Sequence, residues 1–240
     1  MKIIAIIPAR YAATRFPAKL MQMLQGKPII RHTYENTVGT NLFDEVIVAT
    51  DSEIIFNEIT QNGGNAIITK GNHESGSDRI AEVAREMEVD IIINIQGDTP
   101  FVNKPALEEI INVFKDETVQ VASMMQILTE QKYIEDYNYV KVVVDKNMNS
   151  LLFSRSVIPY PRNKETVVTY YEHIGVYAFR KEALIRFTKW EMTPLEIIEK
   201  IECLRYLENG VPLRMIVVSG IGVEIDTPED LERASIALGG

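Results

Sequence analysis

The sequence predicts an α/β protein with a Rossmann-like, doubly wound and mostly parallel sheet. Short apolar, β-branched runs alternate with segments of helical periodicity through residue 115. Several runs are apolar throughout, as expected for strands that are covered on both faces. After residue 120 the predicted strands follow one another more closely. We therefore expect antiparallel additions in the second half of the chain.

The predicted elements follow from these two periodicities, taken in chain order. The last helix has the clearest beginning, because Thr227 is a suitable N-cap, Pro228 fits the first helical position and Asp230 completes a capping box. The predicted strands are 2–7, 45–49, 66–69, 90–95, 119–126, 139–144, 173–179 and 213–218, and the earlier predicted helices are 29–37, 51–61, 78–88, 105–115 and 194–207.

The chain is predicted to form a single domain over residues 1–240. Its length suits one large α/β domain, and no repeat, low-complexity tract or obvious linker divides it. A polar stretch at 155–169, which contains Pro159 and Pro161, interrupts the second half. This stretch is consistent with either a mobile loop or a dimer arm.

Composition and charge exclude several classes of function. Hydrophobic residues make up 46% of the chain and charged residues 25%, which is typical of folded globular proteins. The net charge of −9 disfavours nucleic acid as a partner. The single cysteine, Cys203, excludes an internal disulfide and a thiolate zinc cluster, and no apolar run approaches the ~20 residues needed to span a bilayer. We expect a cytoplasmic protein without a membrane partner.

The stretch IIPARYAATRFPAKL places Arg10, Arg15 and Lys19 just after the first predicted strand. Ligands of open α/β sheets bind beyond the carboxyl ends of the strands. The stretch has neither the G-x-G-x-x-G nor the G-K-[ST] pattern and no glycine before Gly26, so side-chain cations would have to hold a phosphate group. Three solvated surface cations are the alternative, and the spacing leaves both interpretations open.

Two carboxylates next to predicted strands are candidate magnesium ligands. In IIINIQGDTP the strand brings Gln96, Gly97 and Asp98 to the ligand edge, where glycine permits close backbone approach. In GVEIDTPEDL, Asp226 follows a strand and precedes the last helix. Two carboxylates with triphosphate oxygens would satisfy a hard octahedral cation. The alternatives are a turn residue for Asp98 and a helix cap for Asp226, although Thr227 already explains the cap.

The segment NHESGSDRIAE predicts another helix start. Ser75 and Asp78 fit a capping box before a periodic apolar pattern. Helix N-termini attract anions and polar groups. Arg79, in the first turn, could therefore contact a base or a phosphate.

The second half supplies further polar candidates. His173 and Tyr177 lie four residues apart on a predicted strand and therefore share a face, where they could line one pocket. A lone histidine on a strand is also commonly structural. Glu199 and Glu202 lie one helical turn apart, and Arg155 follows an apolar run. The three histidines show no zinc-binding spacing, and no Ser-His-Asp arrangement can be argued.

The blocks IPARYAATRFPAKL, VATDSEI, HESGSDRIAEV, NIQGDTP, KVVVD, FSRSVIP, HIGVYAFR, PLEIIEKIECLR and DTPEDLERA occur in order from residue 3 to about 234. Together they resemble the 3-deoxy-manno-octulosonate cytidylyltransferase family. The resemblance implies a fold of the nucleotide-diphospho-sugar transferase type. It also implies a cytoplasmic homodimer that uses Mg²⁺ to convert CTP and the acid sugar Kdo to CMP-Kdo and pyrophosphate for lipopolysaccharide synthesis.

The resemblance also implies a role for each matching residue. Arg10, Lys19, Asp98 and Asp226 would be catalytic, and the last two would hold the metal. The subregion at about 120–190 would carry dimer contacts and bind sugar. The implied nucleotide-binding residues are Ala9, Arg10, Lys19, Ser75, Arg79, Gln96 and Asp98, and the implied sugar-binding residues are Arg155, His173, Tyr177 and Glu202.

The chain departs from the family pattern in four stretches. Ala18 replaces a loop glycine, and Thr99 replaces a glutamate beside the metal position. Cys203 replaces a glutamine that could hydrogen-bond the sugar, and Glu224 and Ile225 stand before Asp226 where the family has Gly-Val. The substrate could therefore be Kdo or a modified Kdo, such as the 8-amino form.

Three alternatives stay open at this point. The first is a cytidylyltransferase for another acid sugar, such as sialic acid. The second is a non-catalytic nucleotide-binding regulator. The third is a glycosyltransferase, although such enzymes usually hold their metal through a D-x-D motif and none follows the predicted strands.

Overall fold

The computed structural model describes residues 1–12, 16–70, 73, 75–220 and 225–239. The chain divides into two compact units, residues 1–107 with 220–240 and residues 108–219. The first division falls between residues 107 and 108, before the point at residue 120 where the pattern of the sequence changes. The single domain over residues 1–240 stays a prediction, and the two units are described separately.

Strands and helices alternate through the first unit. The run of residues 4–7 in the first strand is fully buried, as its continuous apolar sequence predicts. Two helices begin at serine N-caps, Ser52 and Ser75, whose side chains accept backbone N–H bonds from Ile55 and Asp78. The elements are β1 (Ile3–Ala9), β2 (Met23–Leu24), β3 (Lys27–Pro28), α1 (Ile29–Gly39), β4 (Glu45–Thr50), α2 (Glu53–Gln61), β5 (Ala66–Ile68), α3 (Gly76–Arg85) and β6 (Ile91–Asn94).

Four parallel strands of this unit lie in the order β6-β1-β4-β5. Ala9 at the end of β1 lies opposite Thr50 of β4, while Ile6 lies opposite Asn94 of β6. The carboxyl ends of these strands therefore share one edge, and the segments that follow them meet there. This arrangement confirms the predicted parallel α/β architecture of the first half.

The second unit contains the predicted antiparallel additions. Its strand β7 (Val121–Leu128) pairs in parallel with β11 (Arg214–Val217) and antiparallel with β10 (Tyr170–Arg180). Strand β8 (Lys141–Val144) pairs antiparallel with both β10 and β9 (Ser150–Ser154). Helix α4 (Lys104–Asn112) runs across the sequence boundary between the units. The elements that follow are β7 (Val121–Leu128), α5 (Gln131–Glu135), β8 (Lys141–Val144), β9 (Ser150–Ser154), β10 (Tyr170–Arg180), α6 (Lys181–Phe187), α7 (Pro194–Glu199), α8 (Leu204–Glu208) and β11 (Arg214–Val217).

Helix α9 (Pro228–Gly239) belongs to the first unit and begins as predicted. The Thr227 hydroxyl accepts the Asp230 N–H at 3.3 Å, and the Asp230 carboxylate accepts the Thr227 N–H at 2.9 Å. This reciprocal pair is a capping box. Helix α9 has 12 residues. Within the described ranges, no helix is both long and apolar enough to cross a membrane.

The prediction of one helix over 194–207 is wrong. Helix α7 ends at Glu199, Lys200 adopts a left-handed conformation with φ 54° and ψ 46°, and α8 begins only at Leu204. A non-glycine residue at this conformation gives no signal in the sequence. Strand β9 is also absent from the predicted strands, although the sequence shows an apolar run before Arg155.

Candidate active site

Lys19, Asp98 and Asp226 meet at the carboxyl edge of the first unit's sheet. Lys19 Nζ donates to Asp98 Oδ2 at 2.5 Å and to Asp226 Oδ1 at 2.8 Å. Asp98 follows β6, and Asp226 comes just before α9. The Ile225 N–H donates to the Asp98 carbonyl oxygen at 3.0 Å, which joins the two carboxylate-bearing segments. One ammonium group therefore bridges residues that are far apart in the sequence.

The surroundings of Lys19 keep its side chain positively charged. Only 15% of the Lys19 side chain and 15% of the Asp98 side chain are exposed, against 38% for Asp226. Burial alone would lower the pKa of Lys19, but the attraction of Asp98 and the hydrogen bonds to both carboxylates raise that pKa overall. The site therefore contains one charged ammonium group in contact with two carboxylates.

The donor set of this site fits a magnesium ion. Asp98 Oδ1 is buried and accepts no hydrogen bond from any described residue. Asp98 and Asp226 both contact the same ammonium group, that of Lys19. Carboxylate oxygens are ligands that Mg²⁺ prefers. Among the described residues, no cluster of three or more His, Cys, Asp or Glu side chains could hold a metal. The two aspartates would therefore need phosphate oxygens and water to complete the coordination.

Gly97 brings the backbone before Asp98 close to the end of β1. A Cβ atom at this position would lie 3.2 Å from the Pro8 carbonyl oxygen and 3.2 Å from Leu20 Cδ1. The Gly97 carbonyl also accepts a hydrogen bond from the Thr33 hydroxyl at 2.9 Å. The predicted close approach is confirmed, and it fixes the backbone from which Asp98 extends.

The cap of α9 leaves the Asp226 side chain available to Lys19. Asp230 Oδ2 accepts the backbone N–H groups of Asp226 and Thr227 at 3.0 and 2.9 Å. The capping is thus done by Thr227 and Asp230, as the sequence suggested. The helix cap orients the backbone of Asp226, and its carboxylate contacts the lysine.

The other predicted nucleotide residues lie on the same unit. Ala9 ends β1 and is buried, and Arg10 follows it in an exposed position. Ser75 caps α3, and Gln96 follows β6 and is partly buried. Their contacts with a nucleotide stay predictions. Arg15, a candidate phosphate-binding cation, and Glu224, a departure from the family pattern, lie outside the described residues.

Arg79 is buried and already has two partners in this structure. Its guanidinium donates to the Thr69 hydroxyl at 2.5 Å and to Asp51 Oδ2 at 2.7 Å. These bonds tie the first turn of α3 to the segments that follow β4 and β5. Arg79 therefore shapes the edge of the sheet, whether or not it also contacts the base.

In the second unit, His173 and Tyr177 share a face of β10, as predicted. Their ring centroids lie 5.4 Å apart, and the Phe153 ring lies 4.8 Å from that of His173. Burial lowers the pKa of His173 to about 4, and it raises the pKa of Tyr177 well above its ordinary value. Both side chains are therefore neutral at physiological pH, and they can act through hydrogen bonds.

Arg155 holds the backbone at the end of α7. Its guanidinium donates to the carbonyl oxygens of Glu199 at 2.6 Å, Tyr137 at 2.9 Å and Lys200 at 3.4 Å. The Glu199 carboxylate in turn accepts the Arg155 N–H at 2.9 Å and the Ser154 hydroxyl at 2.7 Å. Contact between Arg155 and a sugar stays a prediction, and Glu199 positions Arg155 within the unit.

Glu202 and Cys203 lie close to Tyr177. Burial raises the pKa of the Cys203 thiol, and the negative charge of Glu202 raises it further, although the hydrogen bond from the Tyr177 hydroxyl opposes this effect. The buried sulfur of Cys203 therefore accepts a hydrogen bond from the Tyr177 hydroxyl. The contribution of Glu202 to sugar binding stays a prediction.

The contact between Ser123 and His173 is not predicted by the sequence. The Ser123 hydroxyl lies 3.0 Å from His173 Nε2, inside the mostly apolar strand β7. The run VASMMQIL gives no sign of this contact, because it depends on a distant strand.

A parallel α/β sheet with a cation and two carboxylates at its carboxyl edge is typical of enzymes that act on nucleotides. The family model described as cytidylyltransferase matches residues 4–217. The 3-deoxy-manno-octulosonate cytidylyltransferase of Flavobacterium johnsoniae is 55% identical, with 99% of both chains covered. The protein of the same name from Christiangramia forsetii is 51% identical over 97% of this chain and 95% of its own. The chain therefore belongs to the 3-deoxy-manno-octulosonate cytidylyltransferase family of cytidylyltransferases.

Solved structures agree with this assignment. CMP:2-keto-3-deoxy-manno-octonic acid synthetase complexed with CTP superposes with a TM-score of 0.95 at 36% identity, with 100% of this chain and 99% of that chain covered. The 4-diphosphocytidyl-2C-methyl-D-erythritol synthase of Anaerococcus prevotii has a TM-score of 0.65 at 16% identity, with 100% and 99% covered. The second similarity shows a shared fold.

Proposed function

We propose that this protein transfers CMP from CTP to the anomeric hydroxyl of Kdo and releases pyrophosphate, as a step in lipopolysaccharide synthesis. The observation that carries the proposal is the meeting of Lys19, Asp98 and Asp226 at the carboxyl edge of the sheet. The relatives named for this reaction, which match over nearly their full length, support it.

The triphosphate would be bound by the cations of the first unit. Arg10 is exposed beside the end of β1 and offers a guanidinium that can bind phosphate oxygens in a bidentate manner. Lys19 offers a compact charge next to the two carboxylates. Ala9, Ser75, Arg79 and Gln96 would surround the rest of the nucleotide, with Arg79 held in place by Thr69 and Asp51.

Asp98 and Asp226 would hold the magnesium ion that we propose as cofactor. When bound, Mg²⁺ supplies positive charge that neutralises phosphate oxygens and so admits an anionic nucleophile. The buried Asp98 Oδ1, which has no partner among the described residues, supports this role. Lys19, which contacts both carboxylates, would then be free to bind a phosphate oxygen.

The reaction needs positioning and charge neutralisation more than a covalent protein nucleophile. The sugar hydroxyl attacks the α-phosphorus, and the bond from that phosphorus to pyrophosphate breaks in line. The buried thiol of Cys203, whose pKa is raised by burial, is unsuited to covalent catalysis. Lys19 and Arg10 would stabilise the negative charge of the departing pyrophosphate.

The acid sugar would be bound by residues of the second unit. Arg155 carries a positive charge suited to the sugar carboxylate. His173, Tyr177 and Glu202 supply hydrogen-bonding groups, and the first two share one face of β10. Because Cys203 stands where the family has glutamine, we propose that Kdo or a modified form such as 8-amino-Kdo is the sugar substrate.

The test is a panel of acid sugars. The protein is incubated with CTP, Mg²⁺ and either Kdo, 8-amino-Kdo or sialic acid, and pyrophosphate release is measured. We expect release with Kdo or its 8-amino form, and none when Mg²⁺ is removed with a chelator. Release with sialic acid alone would contradict the sugar assignment, and no release with any sugar would favour a nucleotide-binding regulator.

We also propose that the protein works as a cytoplasmic homodimer. Several large apolar side chains of the second unit are exposed, which supports a contact surface on that unit. Leu151 of β9 and Ile198 of α7 are 61% and 76% exposed, and Tyr160 and Val167 of the polar stretch are 82% and 94% exposed. Leu151, Tyr160 and Val167 fit the prediction that the subregion at about 120–190 carries dimer contacts, and Ile198 lies just beyond it.

A further inference from the structure

Strand β10 has an irregularity between Ile174 and Tyr177, close to His173. Ile174 lies opposite Met124 of β7, but the next paired residue, Tyr177, lies opposite Ser123. Two extra residues of β10 therefore bulge out between neighbouring positions of β7. Such bulges leave backbone groups that need partners from outside the ladder.

Ser123 supplies a partner for this bulge. Its side chain is fully buried. The Ser123 Oγ lies 2.9 Å from the Val176 carbonyl oxygen, 3.1 Å from the Ile174 carbonyl oxygen and 3.0 Å from His173 Nε2. One hydroxyl group therefore serves three polar atoms.

The number of protons available decides the direction of these bonds. A serine hydroxyl has one hydrogen to donate, and carbonyl oxygens can only accept. If the hydroxyl donated to His173 Nε2, both carbonyl oxygens would face oxygen lone pairs without a proton between them. The hydroxyl hydrogen is therefore donated to the carbonyl oxygens, and Ser123 Oγ accepts a hydrogen bond from Nε2–H.

We propose that Ser123 is a positioning residue, which holds His173 as the Nε2–H tautomer so that Nδ1 accepts a hydrogen bond from a hydroxyl group of the acid sugar. This inference rests on the proposed function, because it assigns the chemistry of one group in the proposed sugar site. It adds a residue that touches no substrate but decides which histidine nitrogen can accept.

The rest of the His173 environment is consistent with this role. The rings of Phe153 and Tyr177 lie against the imidazole, with centroids 4.8 and 5.4 Å away, and they restrict its orientation. Burial lowers the pKa of His173 to about 4, so protonation does not remove the lone pair near neutral pH. Among the described residues, none makes a hydrogen bond to Nδ1.

The tautomer can be measured without any substrate. Protein labelled with ¹⁵N at histidine is studied by long-range ¹H–¹⁵N correlation, and His173 is assigned with the variant His173→Gln. We expect a protonated Nε2 and an unprotonated Nδ1 in the wild type, and a loss of this preference in Ser123→Ala. A wild-type spectrum with the proton on Nδ1 would overturn the proposal, whatever any variant does.

The kinetic test separates positioning from a general structural effect. In Ser123→Ala we expect the KM for Kdo to rise about tenfold, as for one lost hydrogen bond, while the KM for CTP changes by less than about twofold. Ser123→Thr keeps the hydroxyl and should restore the tautomer. Ser150→Ala is the matched control, because Ser150 is another buried serine of the same unit, and its hydroxyl accepts the Leu213 N–H.

Three results would each contradict one part of the proposal or the function on which it rests. Equal losses for Kdo and CTP in Ser123→Ala, matched by Ser150→Ala, would overturn the positioning role. An unchanged KM for Kdo with a changed tautomer would overturn the proposed contact of Nδ1 with the sugar. No pyrophosphate release by the wild type with any acid sugar would contradict the proposed function, whereas the tautomer measurement would still test Ser123.

Discussion

At the scale of single residues, the site is a balance of charges. Lys19 contributes one positive charge to two carboxylates, and its contacts with Asp98 and Asp226 are 2.5 and 2.8 Å long. The three side chains together therefore carry a negative charge, in the place where we propose that the triphosphate binds. Another cation is needed there, and this requirement is the physical reason to expect a divalent metal.

Neutralising either aspartate should abolish most turnover. We expect Asp98→Asn and Asp226→Asn each to lower kcat by at least about a hundredfold, because each loses a charged metal ligand. Pyrophosphate release at saturating CTP and Kdo measures the effect. Asp90→Asn is the control, since Asp90 lies just before the first residue of β6, at the end opposite to Asp98, and its carboxylate accepts the Lys2 N–H. Near wild-type rates in both active-site variants would refute the metal role.

His173 should also make stability depend on pH. Its pKa is about 4 in the folded protein, below the ordinary value of 6.5, so the unfolded chain binds the proton more readily. The free energy of unfolding should therefore fall by about 3 kcal/mol as the pH decreases from 6.5 to 4. Urea denaturation across this interval, compared with His173→Gln, isolates the effect. Parallel curves for the two proteins would contradict it.

At the scale of elements, much of the fold could be predicted because the strands are continuous apolar runs. The ends of β1 and β6 were predicted well enough to place Lys19 and Asp98 on one edge. The break at Lys200 could not be predicted, since nothing in the sequence marks its left-handed conformation. Ser123 could not be predicted either, because its role arises from a bulge in another strand.

The close approach at Gly97 gives a prediction at this scale. In Gly97→Ala the new methyl group would press on the Pro8 carbonyl oxygen and Leu20 Cδ1, both at 3.2 Å. We expect a loss of about 1–3 kcal/mol in the free energy of unfolding and a higher KM for CTP. Gly39→Ala is the matched control, because its Cβ would meet nothing within 4 Å. Equal stability of the two variants in urea would contradict the tight packing.

At the scale of the whole molecule, the net charge of −9 opposes the binding of anions such as CTP. We propose that local cations recruit the nucleotide, and Arg10 and Lys19 both follow the carboxyl end of β1 in the chain. The acid sugar is also an anion, so a second group of polar residues is needed for it. The sequence motifs predict these residues in the second unit, and the structure shows their partners within the chain.

The proposed dimer gives a prediction for the whole molecule. Light scattering after size-exclusion chromatography should yield a mass about twice the 27.2 kDa of one chain. Ile198→Asp together with Leu151→Asp should lower this mass if the exposed apolar side chains form the contact, because a buried charge is costly. A monomeric wild type at micromolar concentration would contradict the homodimer.

The most direct measurement follows the bonds that form and break in the transfer of CMP to Kdo. CTP that carries ¹⁸O in the bridge between its α- and β-phosphates is incubated with Kdo, Mg²⁺ and the protein, and the products are identified by mass spectrometry. If the sugar hydroxyl attacks the α-phosphorus, the conjugate CMP-Kdo contains no label and the pyrophosphate contains all of it. Label in the conjugate, or no conjugate with Kdo or 8-amino-Kdo, would contradict the account.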